Sequence, residues 1–455
     1  MLINFSLQNF KSFDKETELS MIPSAESNLN KGDIAQINGI RVLKYSVIYG
    51  ANASGKSNWI KGIEFFRDVV RQGLSLRASS MFCKTKKENS KNITRFEMQF
   101  SIDNYFYAYG FSVVLSKREI CDEWLYQLYT NGKAQRIYER KANGEVVLDK
   151  TFLSKLSERE KERITVYQED FTGDKDQLFL TFMNQEKKYI SKSAISIFQK
   201  IYRWITRNII VVVPDKNFSD MSYYNDERSL KEVNKIIKNF DTGISQVEMR
   251  RSSFEEMEEV LPPVVFSDVK KEVKKGMQRK SDSFRLTMRS KDIFFSIRCS
   301  QDNIRVDTLR FRHEKSDFDF LFSEESDGTR RLFDFLDMIL SKRKDVVYII
   351  DELDRSLHPR MTEFYLRQFM KYNNKENNQF VFTTHEASIM DLSLFRRDEI
   401  WFVERDAEST SRLYSLDQFR ERYDDCLSQA YLDGRYGAIP ALSSYDWMEE
   451  NGEWE

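Results

Sequence analysis

An eight-residue loop most constrains what this chain can fold into. Residues 50–57 read Gly-Ala-Asn-Ala-Ser-Gly-Lys-Ser, a complete match to the phosphate-loop pattern GxxxxGK[ST]. The apolar segment 43–49 precedes the loop, and residues 57–75 carry apolar side chains at helical spacing. A strand that enters a glycine-rich loop and continues into a helix is the context this pattern requires. The sequence therefore predicts an α/β fold of the P-loop NTPase class.

The residue types of the loop suit a nucleoside triphosphate. Glycine lets consecutive backbone N–H groups turn towards phosphate oxygens, and the start of the helix adds partial positive charge. We expect Lys56 to bridge the β- and γ-phosphates and act in catalysis, and the Ser57 hydroxyl to ligate Mg²⁺. The expected ATP-binding residues of the loop are Gly50, Asn52, Ala53, Ser54, Gly55, Lys56, Ser57 and Asn58.

A second apolar run, residues 346–350, ends in two carboxylates, Asp351 and Glu352. Such a run is typical of a buried parallel strand, and α/β sheets bind ligands at the carboxyl ends of their strands. We expect Asp351 to hold Mg²⁺, directly or through water, and Glu352 to polarise the attacking water as general base. In isolation, the same residues would equally suit a core strand that ends in a solvated turn.

A third motif, Ser-Asp-Gly-Thr-Arg-Arg-Leu at residues 326–332, lies about twenty residues before the acidic strand and opens a predicted helix. A hydroxyl and a glycine at a helix N-terminus can form an anion site. In a head-to-tail dimer, Ser326 and Gly328 would cap the γ-phosphate that the other subunit binds. The alternative is an ordinary helix in which Ser326 is only the N-cap; the order of the three motifs favours the anion site.

Three histidines occur, at positions 313, 358 and 385. His385 follows the apolar run 379–384, and a histidine at the end of a neighbouring strand is well placed to sense the γ-phosphate and position water. We therefore assign His385 a catalytic role. His313 lies in a strand-like segment and is interpreted as structural.

Composition excludes several classes of protein. The net charge is −1, so contact with nucleic acid would have to come from a local patch. The four cysteines form no CxxC pair, which argues against a zinc site or a disulfide scaffold. No secretion signal or membrane-spanning run is visible, so we expect a soluble, cytoplasmic protein without membrane contact.

The basic run 270–280 could contact phosphates or be a solvated loop. The aromatic, acidic tail 445–455 could dock a partner protein or fold back on its own lobe.

The pattern along the chain suggests three regions. Residues 1–152 are predicted as an N-terminal ATPase lobe with antiparallel strands, opening on an edge strand at the N-terminus and turning at Asp103–Asn104. Residues 153–283 are dominated by charged helical stretches and are predicted as a helical insertion. Residues 284–455 are predicted as the C-terminal ATPase lobe.

Taken together, the chain resembles the ABC-type ATPases of the RecF, OLD and SMC kind, and most of all the stand-alone RloA-like ATPases of abortive-infection and restriction-linked systems. The resemblance extends over nearly the whole chain and rests on the stretches NFKSF, IYGANASGKSN, FRHEKSDFDF, EESDGTRRL, IIDELDRSLHP, TTHEASIMD and YLDGRYGAIP. It implies ATP-driven closure of a dimer, Mg²⁺ dependence and coupling to a partner protein or to DNA. The glutamine that links Mg²⁺ to the inserted lobe in such proteins is unassigned, with Gln168, Gln177 and Gln185 as candidates.

Three functions are compatible with these motifs. The first is a head-to-tail homodimeric ATPase that acts as a switch for a separately encoded effector, a nuclease or toxin, in anti-phage defence. The second is a RecF-like repair ATPase that binds DNA. The third is a binding module that holds ATP with little turnover.

Overall fold

The computed structural model describes most of the chain. The described residues are 1–25, 33–171, 175–187, 189–190, 193–214, 224, 226–278, 284–289, 293–300, 303–340, 343–373, 377–419 and 427–440. The predicted tail at 445–455 and the end of the basic run, 279–280, lie outside them. None of the helices within this part of the chain is long and apolar enough to cross a lipid bilayer.

Helices and strands alternate along these residues. The strands are β1 Leu2–Gln8, β2 Thr17–Ser20, β3 Ile34–Ile37, β4 Ile40–Leu43, β5 Tyr45–Tyr49, β6 Thr94–Ile102, β7 Tyr105–Val114, β8 Glu119–Leu128, β9 Ala134–Arg140, β10 Val146–Leu148, β11 Ile209–Val212, β12 Ile244–Ser252, β13 Phe284–Arg289, β14 Phe294–Ser300, β15 Asn303–His313, β16 Asp319–Leu321, β17 Val347–Ile350, β18 Gln379–Thr383, β19 Ile400–Arg405 and β20 Ser411–Ser415. The helices are α1 Lys56–Gln72, α2 Lys150–Leu153, α3 Glu158–Asp170, α4 Phe179–Phe182, α5 Ile197–Arg203, α6 Glu227–Ile237, α7 Phe254–Val260, α8 Pro263–Gln278, α9 Asp327–Leu340, α10 Pro359–Asn373 and α11 Leu427–Leu432.

The chain divides into two compact units, each built from segments that are separate in sequence. Unit 1 comprises Met1–Val211, Asp345–Asp351 and Asn378–Glu455. Unit 2 comprises Val212–Lys344 and Glu352–Asn377. The predicted insertion 153–283 contains helices α3 to α8 together with strands β11 and β12, and its residues belong to both units.

An antiparallel sheet of unit 1 has the strand order β10-β9-β8-β7-β6-β1-β2. The hairpin between β6 and β7 turns at Asp103 and Asn104, which both have positive φ (51° and 65°), as a tight two-residue turn requires. The prediction of this turn is confirmed. The prediction that the N-terminal strand is an edge strand is wrong, because β1 pairs with β2 on one side and β6 on the other. Alternation of apolar and polar residues indicates that one face of the strand is buried. It does not indicate whether the strand pairs with one neighbouring strand or with two.

The second sheet of unit 1 has the order β11-β17-β18-β5-β19-β20. Strands β17, β18, β5 and β19 are parallel, and β20 is antiparallel to β19. All residues of β5, β17 and β18 are buried, which explains why these segments are almost entirely apolar. Strand β17 is the predicted parallel strand that precedes Asp351. The carboxyl ends of β17, β18 and β5 consequently lie side by side.

Helix α1 is held by its apolar face. Trp59, Ile60, Ile63, Phe66 and Val69 recur at the predicted helical spacing and are all buried. The ring centroid of Phe5 in β1 lies 5.5 Å from that of Trp59 and 5.7 Å from that of Phe66, in edge-to-face geometry. This packing fixes the helix whose first residue is Lys56 against the antiparallel sheet.

Unit 2 contains a third sheet with the order β12-β15-β14-β13, to which β16 adds on β15. One face of the sheet packs on α7 and α8 through a core of buried apolar side chains, namely Met257, Leu261, Phe266, Val269, Val273, Phe295, Ile297, Cys299 and Val306. Within the same unit, α9 begins immediately after Ser326, as predicted for the third motif.

Candidate functional site

The phosphate loop connects β5 to α1 and is crowded at its two glycines. A Cβ at Gly55, where φ is +122°, would collide with the Ser411 hydroxyl and lie 2.9 Å from the Ser12 hydroxyl. A Cβ at Gly50 would collide with the carbonyl oxygen of Val403. Both positions therefore require glycine for packing as well as for backbone conformation.

The middle of the loop is open to solvent and its end is buried. Asn52 and Ala53 are exposed, and Ala53 has a positive φ of 61°. Ser54, Gly55 and Lys56 are buried, whereas Ser57 is half-buried. The exposed backbone at Asn52 and Ala53 is therefore accessible to a ligand, while the residues that follow it are held in the protein interior.

Lys56 begins α1 and folds back across the loop. Its Nζ donates hydrogen bonds to the carbonyl oxygens of Gly50 (2.6 Å) and Ala51 (3.0 Å), and it lies 3.3 Å from Nδ1 of His385. Because an ammonium group can only donate, this contact makes Nδ1 the acceptor and leaves the imidazole proton on Nε2. The structure thus brings two of the predicted catalytic side chains into direct contact.

His385 owes its position to strand register. Phe382 in β18 pairs with Val47 in β5, and Thr384 N donates to Ile48 O at 3.1 Å. Three residues beyond the pair Phe382–Val47 on each parallel strand, His385 comes level with Gly50, the start of the phosphate loop. No contiguous sequence pattern links residues 50 and 385, so only the pairing of β5 with β18 establishes this contact.

Asp351 lies at the end of β17, the strand on the other side of β18. The Thr383 hydroxyl donates to Asp351 Oδ1 at 2.7 Å, and Asp351 is buried. This hydrogen bond orients one carboxylate oxygen and leaves the other available as a hard oxygen ligand of the kind that Mg²⁺ prefers. Thr383 was not singled out from sequence, although it lies in the apolar run 379–384 before His385.

In unit 2, Ser326 caps α9. Its Oγ accepts a hydrogen bond from Thr329 N at 3.1 Å and lies 2.9 Å from Thr329 Oγ1. A Cβ at Gly328 would lie 2.5 Å from the carbonyl oxygen of Ser356, so glycine lets the loop after the acidic strand approach the start of the helix. The capping role, named as the alternative for Ser326, is present; the structure holds one chain, and the anion-site role stays a prediction.

Glu352 has a backbone conformation that is rare for a residue with a side chain, with φ at +53°. Arg331 of α9 donates from Nη2 to the Glu352 carbonyl oxygen. Burial lowers the pKa of the Arg331 guanidinium, an effect opposed by the charges of Asp334, Asp354 and Glu352. Helix α9, which Ser326 caps, is therefore hydrogen-bonded to the backbone of the predicted general base within unit 2.

The other two histidines have local partners. His313 Nε2 lies 2.8 Å from Glu325 Oε1, which agrees with its structural interpretation. His358 Nδ1 accepts a hydrogen bond from Arg360 N at the start of α10.

The structure describes all three glutamine candidates. Gln185 is exposed just after α4, and its backbone N–H donates to Phe182 O at 3.3 Å. Gln168 Nε2 donates to Val146 O at 2.8 Å in β10. Gln177 lies beside Gly73, because Leu74 N donates to the carbonyl oxygen of Asp176 at 2.9 Å. Gly73 follows the last residue of the 17-residue helix α1, so Gln177 is roughly 25 Å along the helix from the phosphate loop. Gln177 is therefore too far along α1 to reach a nucleotide in the loop.

Comparison of the sequence with known protein families gives one match. Residues 46–391 match the family described as “AAA domain, putative AbiEii toxin, Type IV TA system”, over more than half of the chain. The chain belongs to this family. None of the curated proteins compared with the chain matches it.

Solved structures also align with this chain. One is the “SMC head domain from Thermotoga maritima”, with 14% identity, 91% of this chain and 98% of that chain covered, and a TM-score of 0.38. Another is “Crystal structure of the SmcHead bound to the C-winged helix domain of ScpA”, with 14% identity, 91% and 97% covered, and a TM-score of 0.37.

Residues distant in sequence form hydrogen bonds with the phosphate loop. Ser411 Oγ lies 2.6 Å from Ser54 O and 2.7 Å from Ser12 Oγ, while Asn58 Nδ2 donates to Ser12 Oγ at 3.0 Å. With one hydroxyl proton each, Ser411 donates to Ser54 O and Ser12 donates to Ser411. Ser12 lies in the NFKSF stretch noted from sequence, whereas nothing in the sequence points to Ser411.

Proposed function

We propose that this protein binds ATP with Mg²⁺ and hydrolyses it. The observation that carries this proposal is the contact of Lys56 Nζ with His385 Nδ1 at 3.3 Å, next to the strand β17 that ends at Asp351. The AAA-domain family supports a nucleotide-dependent ATPase. A P-loop, a buried carboxylate and a neutral imidazole are the groups that phosphoryl transfer to water uses.

The residues fit a Mg²⁺–ATP complex. Glycine at positions 50 and 55 lets the loop pack closely on Val403 and Ser411, and Ser57 and Asp351 offer hard oxygen ligands. When bound, Mg²⁺ neutralises charge on the phosphate oxygens. Lys56 supplies a further positive charge, Glu352 accepts the proton of the attacking water, and His385 positions that water through the imidazole ring. The hydroxyl of Thr383 keeps the Asp351 carboxylate oriented.

We further propose an ABC-type head-to-tail dimer with two composite sites. In this arrangement Ser326 and Gly328 of one subunit cap the nucleotide held by Lys56 of the other. The exposed side of the loop at Asn52 and Ala53 would face the second subunit. The three regions 1–152, 153–283 and 284–455 are proposed as N-terminal lobe, insertion and C-terminal lobe of this head.

The biological output that we propose is a nucleotide-driven switch for a separate effector in anti-phage defence. The family description, which names a toxin and a Type IV toxin–antitoxin system, supports such a setting. The effector would be a nuclease or toxin supplied by another protein, and the cytoplasm is the compartment in which ATP and such an effector meet.

The substitution Glu352→Gln tests the reaction. It keeps the side-chain volume and removes the base, so we expect phosphate release to fall at least about 100-fold while ATP binding persists. Light scattering should then show a stable dimer with Mg²⁺–ATP and monomers without it. Glu363→Gln, on the exposed surface of α10, is the matched control and should leave both unchanged. Turnover of the Glu352→Gln protein at the wild-type rate would contradict the proposed mechanism, and absence of the dimer would contradict the composite sites.

A further inference from the structure

The sheet of unit 2 places three arginines in one row. Arg285 of β13 pairs in register with Arg298 of β14, and Arg298 pairs with Arg305 of β15. Residues directly opposite each other on neighbouring strands share a face of the sheet. Because strands lie about 4.8 Å apart, the row extends over roughly 10 Å. Arg251 of β12 adjoins it, opposite Asp307.

Asp307 organises two of these side chains. It is completely buried, and its carboxylate lies 2.8 Å from Arg305 Nε and 3.4 Å from Arg298 Nη2. Among the described residues, no carboxylate pairs with Arg251 or Arg285. Four guanidinium groups around one carboxylate leave a local charge of about three positive units. We call Arg251, Arg285, Arg298 and Arg305 the arginine row.

The arginine row occupies the open end of a face that is otherwise buried. Along β14 this face continues to Phe294, which packs on Tyr224 with ring centroids 6.4 Å apart. Along β15 it continues to Phe311, 5.0 Å from Phe333 of α9. At the arginine end, the Arg305 side chain is 51% exposed and that of Arg298 is 38% exposed, and Arg251 and Arg285 are exposed residues. The row is therefore accessible from solvent.

Like charges directly opposite each other destabilise a sheet. Uncharged side chains, or side chains of alternating charge, would avoid that cost. The grouping of four arginines is therefore explained by a polyanionic partner that binds them. We propose that the arginine row binds the phosphate backbone of a nucleic acid. A duplex carries one negative charge per about 1.7 Å of its axis with both strands counted, so a stretch as long as the row carries about six charges. The planar guanidinium fork suits phosphate oxygens.

The chemistry of the row favours nucleic acid over an acidic protein. Protein interfaces depend on buried aromatic or apolar anchors. On this face the row adjoins the polar residues Thr287 and Ser296 and one half-buried apolar residue, Met249. Among the described residues the row has no aromatic member, so it offers no stacking platform for bases. Contact would therefore be made to the backbone and would not depend on base sequence. This inference does not depend on ATP hydrolysis, because the row lies on the sheet of unit 2 alone.

The test uses the full chain and the double variant Arg251→Gln/Arg285→Gln, which leaves Arg298 and Arg305 paired with Asp307. The matched control is Lys271→Gln/Lys275→Gln, which removes the same charge from α8, on the opposite side of the same sheet. Binding of fluorescein-labelled 30-base-pair DNA, duplex RNA of equal length and single-stranded DNA is measured by anisotropy between about 50 and 200 mM KCl. Circular dichroism melting checks that both variants are folded.

We expect the wild-type protein to bind the duplexes, and the arginine variant to bind them at least about tenfold more weakly at 0.1 M salt. The slope of log Kd against log salt should fall by about 1.8, corresponding to two lost phosphate contacts. The lysine control should bind as wild type does. Equal weakening in the control would move the contact to α8 and overturn the assignment to the row. Absence of nucleic-acid binding, or binding of polyglutamate in its place, would overturn the proposal itself.

Discussion

The phosphate loop and the arginine row are both proposed as sites for phosphate, yet they are built in opposite ways. The loop takes its binding groups from eight consecutive residues and uses mainly backbone N–H groups. The row takes one side chain from each of four strands and uses guanidinium groups. A contiguous site is visible as a sequence motif, and a site assembled by strand register is not. The loop is suited to tight binding of one triphosphate, whereas the row is suited to attraction of many phosphates that does not depend on base sequence.

The largest effect should come from the loop. Lys56→Met removes the only side-chain charge of residues 50–57, so ATP turnover should fall by about 100- to 1,000-fold. The measurement is phosphate release at saturating ATP. Lys61→Met, exposed one turn further along α1, is the control. Wild-type turnover in the Lys56 variant would show that the loop is not the hydrolytic site. Unchanged DNA affinity in the same variant would show that the two sites are independent.

The next effect concerns the row. Asp307→Asn leaves Arg298 and Arg305 without a charged partner, so we expect the free energy of unfolding to fall by about 2 kcal/mol. The local positive charge rises by one unit, and duplex DNA should bind up to about eightfold more tightly at 0.1 M salt. Urea denaturation and anisotropy measure the two changes. If the variant loses both stability and DNA affinity, the main role of Asp307 is to position the arginine side chains for binding, and its neutralisation of their charge is secondary.

A smaller effect should follow from Arg331→Met. This change removes the hydrogen bond to the Glu352 carbonyl oxygen, and we expect turnover to fall about tenfold through loss of positioning, with the affinity for ATP within about twofold of wild type. Arg331→Lys retains one donor and should recover part of the rate. Arg330→Met, whose side chain pairs with Asp327, is the control. A rise in KM at unchanged kcat would indicate that Arg331 acts in nucleotide binding instead.

The smallest effect should come from Ser411→Ala, which removes one hydroxyl from behind the loop. Loss of the hydrogen bond to Ser54 O should lower the free energy of unfolding by about 1 kcal/mol. Thermal melting with and without Mg²⁺–ATP measures this change. Ser388→Ala, in another part of unit 1, provides a baseline for removal of a serine hydroxyl. A Ser411 variant as stable as wild type in both conditions would show that the contiguous loop needs no support from residues distant in sequence.

Local rules predicted local features correctly. The turn at Asp103–Asn104, the parallel strand before Asp351 and the helix start after Ser326 each depend on neighbouring residues, and the structure confirms them. The N-terminal strand shows where such rules end. Its alternating residues specify a buried face, whereas its place between β2 and β6 depends on pairing with residues almost one hundred positions away.

By itself, the sequence determined the phosphate loop, the acidic end of β17 and the class of fold, because each depends on residue types at short, fixed spacing. Tertiary structure alone decided that His385 reaches Lys56, that Ser411 supports Ser54 and that four arginines form one charged surface. The physical reason is strand register. Hydrogen bonding between distant strands decides which side chains become neighbours, and no local spacing in the chain encodes that choice.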